Sequence, residues 1–304
     1  MSQRGVALMM TLWVLVLLAV VAMNFSLSTR LGSASARNFK EDTEAYYLAA
    51  ARVEEAMAYI LTDKDPAVDF LDADGNFRTD AERPPVTGTT EDGGAEVTLK
   101  ISDEESRLNI NLQDEDNLLR LFEYVGITDQ TAQELIDSLA DWKDKDDLHR
   151  LSGAEDEYYS EQGYAAKNAF LNVPEELLLI KGFEARHFYG TDEAPGLEPL
   201  ITTWGSLVNV NTASPAVLAI MGLDALDLDA VLMRRQAAEG GMRAVYPKLS
   251  GVAATRSSYF RIEARARKKG SPAGVTITSI VHRPPEGRAL KVLYWKEGIE
   301  SSGT

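Results

Sequence analysis

The sequence predicts an α+β fold: one long N-terminal helix, membrane-spanning in its first half, packs on an antiparallel sheet, and a large all-α domain is inserted between the strands. Three observations predict it. Val6 to Met23 is an unbroken apolar run with Thr11 as its one polar side chain, and helical periodicity continues beyond it to Leu61. Period-two alternation marks one segment before residue 103 and three near the C-terminus. Between the first strand and the others lie about 150 residues with helical spacing, too many for a loop.

At about 1.5 Å per residue the apolar run reaches about 27 Å, enough for most of a hydrocarbon core of about 30 Å. It is too long for the apolar region of a secretory signal, and the cleavage-like triplet Ala34-Ser35-Ala36 falls well past it. Tyr46, Ala50, Val53, Met57 and Ile60 then recur at spacings of three and four. The predicted helix from Val6 to Leu61 is roughly 80 Å long, with Asn24, Gly32 and Ser33 as the places where it would bend. Asp63 to Pro66 ends it, and a Gly/Pro/Asp-rich loop is expected through Gly94.

Strands are expected over 95–102, 259–267, 275–281 and 290–295, with Phe260, Ile262, Ala264 and Ala266 on one face of the second. Gly270 to Gly274 and Pro284 to Gly287 supply turns. The intervening helical segment contains an echo. Leu108-Asn109-Ile110-Asn111 leads to Leu118, Leu119 and Gly126-Ile127; Val208-Asn209-Val210-Asn211 leads to Val217, Leu218 and Gly222-Leu223. The two spacings differ by about one helical turn, which predicts a duplicated helical hairpin. The expected organisation is a leader at 1–5, a transmembrane segment at 6–23, an α+β domain from 24–102 and 251–304, and a helical insertion at 103–250.

A net charge of −16 leaves no broad basic face for nucleic acid or an anionic bilayer. The hairpins resemble helix-hairpin-helix elements, but Thr128 and Asp224 stand where the second glycine of a phosphate-binding hairpin belongs, so a membrane-anchored nucleic-acid receptor is the weaker alternative. Zero cysteines exclude disulfides, thiol catalysis and cysteine-bound zinc. His149, His187 and His282 lie far apart, and there is neither a nucleophile elbow nor a phosphate-binding loop; an enzyme is not expected. The remaining enzymatic alternative is an anchored periplasmic protein using an acidic metal site. Arg4 and the amino terminus are balanced by Arg30, Arg37 and Lys40, so flanking charge does not orient the span.

The densest chemistry is Asp141-Trp142-Lys143-Asp144-Lys145-Asp146-Asp147, followed by Glu155-Asp156-Glu157. Four aspartates so close repel one another unless solvated or neutralised, and Ca²⁺, a hard cation that takes oxygen ligands at flexible geometry, would close such a loop. From Asp144, positions 1, 3 and 12 carry acids as in an EF-hand, but Leu148 and His149 occupy positions 5 and 6, so it is not one. The preferred ligands are Asp144, Asp146, Glu155 and Asp156, with Asp141 and Asp147 second; Trp142 is expected to pack beneath the loop, and a solvated acidic loop is the plain alternative.

The short polar leader ending in Gly5, followed at once by apolar helix, resembles the class III signal of type IV pilins and type II secretion pseudopilins. That resemblance implies cleavage between Gly5 and Val6 by a prepilin peptidase and methylation of Val6. Most such proteins carry Glu at the fifth mature residue, where this chain has Met10, a departure that is characteristic of the K-type minor pseudopilins. That family is also similar in its paired helical insertion with an Asn-rich entry, and in an acidic stretch like Asp141-Trp142 with Gly153-Ala154-Glu155-Asp156-Glu157-Tyr158-Tyr159, associated with calcium. The resemblance implies a pilin-like fold and a structural role at the tip of the pseudopilus. It also implies I- and J-type minor pseudopilins and other pseudopilins as partners, an inner-membrane anchor with the bulk of the chain in the periplasm, and possible contact with secreted cargo or the outer-membrane channel.

Overall fold

The computed structural model describes residues 3–65, 67–271, 273–285 and 289–301. Met1 and Ser2 of the expected leader, Pro66 at the expected helix stop and Gly287 in the expected last turn lie outside the described residues, as does the side chain of Val6 at the expected cleavage point between Gly5 and Val6.

Helix α1 (Gln3–Leu61) is continuous, without a break at Asn24, Gly32 or Ser33. Its apolar first half is exposed throughout, from Leu8 to Leu31, and among the described residues it is the one helix long and apolar enough to cross a membrane. Its second half buries Ala45, Ala49, Val53, Ala56 and Ile60 against the sheet. Of the residues whose spacing marks this helix, Val53 and Ile60 lie in the buried stripe, while Tyr46, Ala50 and Met57 flank it. Alanines form the contact because small side chains let the helix approach the alanine-bearing strand beneath it.

The expected loop after α1 holds more structure than its composition suggested. Strands β1 (Phe70–Leu71) and β2 (Phe77–Arg78) form a small hairpin, and β3 (Gly88–Asp92) pairs with β4 (Ala95–Asp103). β3 is wholly exposed and carries no apolar alternation, which is why the pattern missed it. The cue was Gly93-Gly94, whose φ values of 53° and 74° make the tight two-residue turn that joins antiparallel strands.

Next come β5 (Leu108–Asn109), α2 (Glu115–Tyr124), α3 (Asp129–Lys143), α4 (Asp156–Glu161), α5 (Ala185–Tyr189), β6 (Ile201–Thr202), β7 (Val208–Asn209), α6 (Pro215–Ile220), α7 (Ala225–Ala237) and β8 (Ala253–Ala254). The chain then returns to the sheet with β9 (Tyr259–Lys268), β10 (Ala273–His282) and β11 (Lys291–Ser301). The sheet is antiparallel throughout, in the order β11-β10-β9-β4-β3, and α1 lies across β9, β10 and β4. The predicted face of β9 is buried as Phe260, Ile262, Ala264 and Ala266.

Two separate cores result. One joins α1 to the sheet; the other runs from Leu108 to Ala253 within the insertion. The insertion is not purely helical: β5 pairs in parallel with β6, and β7 with β8. The duplicated Asn-x-Asn explains itself in these pairings. In each copy the first Asn side chain accepts the backbone N–H two residues on, Asn109 from Asn111 and Asn209 from Asn211. The second Asn exchanges two bonds with a remote backbone, Asn111 with Leu171 and Asn211 with Met242. A buried amide that mimics a strand partner satisfies backbone groups that no regular ladder reaches. Each copy then runs through a capped helix, α2 from Asp114 and α6 from Ser214, and the two helices pack together with Arg120 Nε donating to the Ile220 carbonyl.

Candidate metal centre

The acidic segment leaves the C-terminus of α3 and returns at the N-terminus of α4, between the helical hairpin and β6 of the first copy; the second copy has no counterpart. Asp137 and Asp141 lie one turn apart on α3 and Asp144 is its C-cap, so three carboxylates gather at the end of the helix. Beneath them Trp142 is buried, edge-on to Tyr159 with centroids 4.9 Å apart, and Tyr164 stacks on Tyr159 at 5.7 Å. This aromatic layer is the platform on which the loop rests.

The loop closes over α3 through backbone N–H groups. Arg150 N donates to Asp141 Oδ2 (2.9 Å) and Ser152 N to Asp137 Oδ2 (3.2 Å), while Lys181 Nζ donates to the carbonyls of Ser152 (3.0 Å) and Gly153 (3.1 Å). Gly153 is required by proximity: a Cβ there would lie 1.9 Å from Asp141 Oδ2. Glu155 caps α4 by position, but its carboxylate makes no cap bond and turns toward α3.

Asp141, Asp144 and Glu155 each offer an oxygen within 4.8 Å of the others. Asp141 Oδ1, Asp144 Oδ1 and both Glu155 oxygens are buried without a hydrogen-bond partner. Burial, and then the charges of Asp141, Asp144, Asp146 and Asp147, push Glu155 up to about 7; burial also raises Asp141 and Asp144. The cation nearest this face is Arg150, 3.9 Å from both Asp137 and Asp141 and half exposed, which makes its pairing weak. Converging, unpartnered, hard oxygen donors with excess negative charge fit a hard divalent cation.

The six acids named from sequence thus divide. Asp141, Asp144 and Glu155 come together, which moves Asp141 from the second rank to the centre. Asp156 Oδ1 is committed to Ala166 N (2.7 Å), and Asp146 Oδ1 accepts from Leu148 N (3.0 Å) in a local turn on the exposed rim. Asp147 lines the neighbouring cleft with His149 and Glu157. Sequence reasoning missed Asp137 and Lys181, which fasten the loop; Asp137 was detectable as the acid one turn before Asp141. The histidines serve locally: His149 Nδ1 lies 2.9 Å from the Arg150 carbonyl, His187 caps α5, and His282 stacks on Tyr259.

Comparison with known proteins gives a consistent picture. Residues 99–192, which include the acidic segment, match the family model described as type II secretion system (T2SS), protein K. The chain is 28% identical over 234 residues to type II secretion system protein K of Pseudomonas aeruginosa, covering 72% of this chain and 68% of that one. It is 30% identical over 241 residues to the protein of the same name from Klebsiella pneumoniae, covering 72% and 69%. Among solved structures it is similar to the crystal structure of the GspK-GspI-GspJ complex from the enterotoxigenic Escherichia coli type 2 secretion system. The TM-score is 0.66 over 86% of this chain and 99% of that one, and at 17% identity the likeness is one of fold.

Proposed function

Because this chain belongs to the type II secretion system protein K family, with the role of a minor pseudopilin in type II secretion, we propose that it caps the periplasmic pseudopilus at its tip. One observation carries this reading. The insertion is joined to the end of α1 remote from its apolar half, where Arg243 pairs with Asp65, and Asn209 bonds the backbone of Asp69. A bulky lobe on the membrane-distal end of the helix suits a first subunit, above which nothing stacks. Met10 agrees with it: the glutamate that most pilins and pseudopilins carry at that position would neutralise the amino terminus of the subunit ahead, and a first subunit has no such neighbour.

In this reading α1 anchors the chain in the inner membrane, the rest lies in the periplasm, and I- and J-type minor pseudopilins are its partners. A neighbour solved in complex with GspI and GspJ supports that choice. The role is structural, with no catalytic step. Asp141, Asp144 and Glu155 would hold a Ca²⁺ ion, which supplies positive charge that lets three carboxylates share one place. Asp137 and Lys181 hold the loop backbone in position around them.

The test is the intact mass of the full chain after co-expression with a prepilin peptidase. Loss of residues 1–5 with one methyl group added to Val6 is expected. An unprocessed amino terminus would reduce α1 to a plain anchor and sink the filament reading.

A further inference from the structure

The two lobes meet on a buried polar seam that the structural role does not use. Asp69 follows α1, Asp103 ends β4, Glu105 begins the insertion, Ser257 precedes β9 and Arg283 follows β10; each is less than a tenth exposed. From the insertion come Asn209 and Thr212, also buried. Asp103 Oδ2 accepts from Asn209 Nδ2 (3.1 Å), Thr212 Oγ1 (2.5 Å) and Ser257 Oγ, so one carboxylate oxygen ties three segments together. Asp69 Oδ2 accepts from Ser257 N (2.8 Å) and from Arg283, while its Oδ1 is buried without a partner. Glu105 Oε2 accepts from Ser258 N (2.5 Å).

The charges around the seam do not balance. Glu104 is matched by Arg261 (2.6 Å) and Arg107 (3.6 Å), and Asp63 by Arg283 (2.9 Å) and Arg256 (3.6 Å). Arg283 must also serve Asp69. Among the described residues, no lysine or arginine lies within ion-pair distance of Asp103 or Glu105, and the insertion faces them with the neutral groups of Asn209, Thr212 and Ser206. Tyr259 lies beside Glu105 and stacks on His282 at 4.6 Å; burial, and then the charge of Lys291, holds His282 below its ordinary value.

We propose that this seam is a proton-dependent clasp between the two lobes: Asp69, Asp103 and Glu105 hold one proton when the lobes are docked, and the seam loosens as that proton is lost. Burial as the largest cause pushes Asp69 and Glu105 up to about 7 and Asp103 to about 6, consistent with a proton retained near neutrality. The sign follows from linkage. A docked state that binds one proton more than the undocked state loses stability as pH rises from the ordinary carboxylate value toward the docked one; across that window its opening constant grows about tenfold per pH unit, and it levels off above the docked value, where both states have lost the proton. Below the ordinary carboxylate range both states are protonated and the dependence vanishes.

The test is amide hydrogen exchange with mass spectrometry on the full chain in detergent micelles, between about pH 4.5 and about pH 8.5 and corrected for intrinsic exchange; full linkage predicts about a tenfold rise in opening per pH unit up to about 6 and a plateau above about 7. Peptides spanning 205–212 and 253–259 should show that rise, while the core of α3 stays unchanged. Glu105→Gln, which retains an oxygen to accept the Ser258 N–H, and Asp69→Asn should each flatten the slope. Opening that is independent of pH in the unaltered chain, or a slope that survives both substitutions, overturns the clasp. Should Asp69→Asn not fold, Glu105→Gln decides alone.

Discussion

Replacing Glu155 by Gln removes one of three converging carboxylates while nearly keeping its shape, and the proposed metal centre makes opposite demands on that change with and without calcium. Raising a carboxyl from its ordinary 4.5 to about 7 corresponds to about 3 kcal/mol against the ionised form in the folded chain. A Coulomb estimate of about 3 kcal/mol for each neighbour, at 4.8 Å and an effective dielectric of about 20, brackets this from above when Asp141 and Asp144 are both counted. Because the folded value lies above the unfolded one, the penalty is small near pH 4.5, grows as pH rises, and is complete above about 7. In chelator at about pH 8, Glu155→Gln should therefore melt higher than the unaltered chain, by up to about 6–12 °C for a lobe of this size. With calcium the order should reverse. An ion at a thousand times its dissociation constant adds about 4.1 kcal/mol to a chain that binds it, which exceeds the penalty of about 3 kcal/mol, and the variant has lost a ligand. The assay is calorimetry of the full chain in detergent micelles, following the transition of the insertion because two cores need not melt together. A variant that melts lower in chelator refutes the repulsion argument; an equal rise with calcium in both proteins refutes the metal reading.

Gly153→Ala places a methyl group against Asp141 Oδ2 and should abolish the calcium-dependent rise in melting temperature while costing at least about 2 kcal/mol in chelator, read by the same calorimetry. Asn211→Ala leaves the Met242 N–H and carbonyl without their partner and should destabilise the insertion by about 2–3 kcal/mol in urea unfolding; Asn111→Ala should cost as much through Leu171, and markedly unequal losses would contradict the equivalence of the two copies. Met10→Glu should leave the melting temperature unchanged and impair tip placement, scored by the position of a gold label on assembled filaments; normal placement would count against the charge argument.

Much of the fold was legible because its signals are periodic. The apolar run, the alternation of Phe260, Ile262, Ala264 and Ala266, and the Asn-x-Asn echo each repeat a spacing that one kind of element requires. What escaped had no period. β3 carries only polar, exposed residues, so its one mark was the Gly-Gly turn beside it. In the buried stripe of α1 the periodicity found Val53 and Ile60, but Tyr46, Ala50 and Met57 each stand one residue past the alanines that the close approach to β9 selects, Ala45, Ala49 and Ala56. At the acidic loop the residue types were visible, but convergence was not. Asp141 and Glu155 lie on different helices, and only the fold decides that Glu155 turns inward while Asp156 is spent on Ala166.

The duplication also explains why the acidic centre exists in one copy alone. Both copies follow the same path, from a short parallel strand through a capped helix and a hairpin to a second helix, and both use an asparagine to bond a distant stretch of backbone. In the second copy the return is short: α7 leads through a brief turn to Met242 and on to β8. In the first, the chain between α3 and β6 is much longer and largely irregular, anchored in the core by single side chains such as Tyr159, Leu177, Phe188 and Leu197. Irregular backbone of that length lacks ladder bonds of its own, so its order has to come from side chains. Asp137, Asp141 and Lys181 supply part of that order by bonding loop backbone, and Asn111 and Trp142 hold its far side and its floor. The carboxylates that bond N–H groups do so at the cost of mutual repulsion with Asp144 and Glu155, which the proposed divalent cation would offset. Lys181→Met discriminates between these contributions. It removes the bonds to the carbonyls of Ser152 and Gly153 and leaves all three converging carboxylates, so it should lower stability by about 1–2 kcal/mol equally with and without calcium. A loss confined to chelator would mean that the lysine substitutes for the ion; a loss confined to calcium would mean that it helps position the ligands, and either would overturn the division of labour argued for this loop.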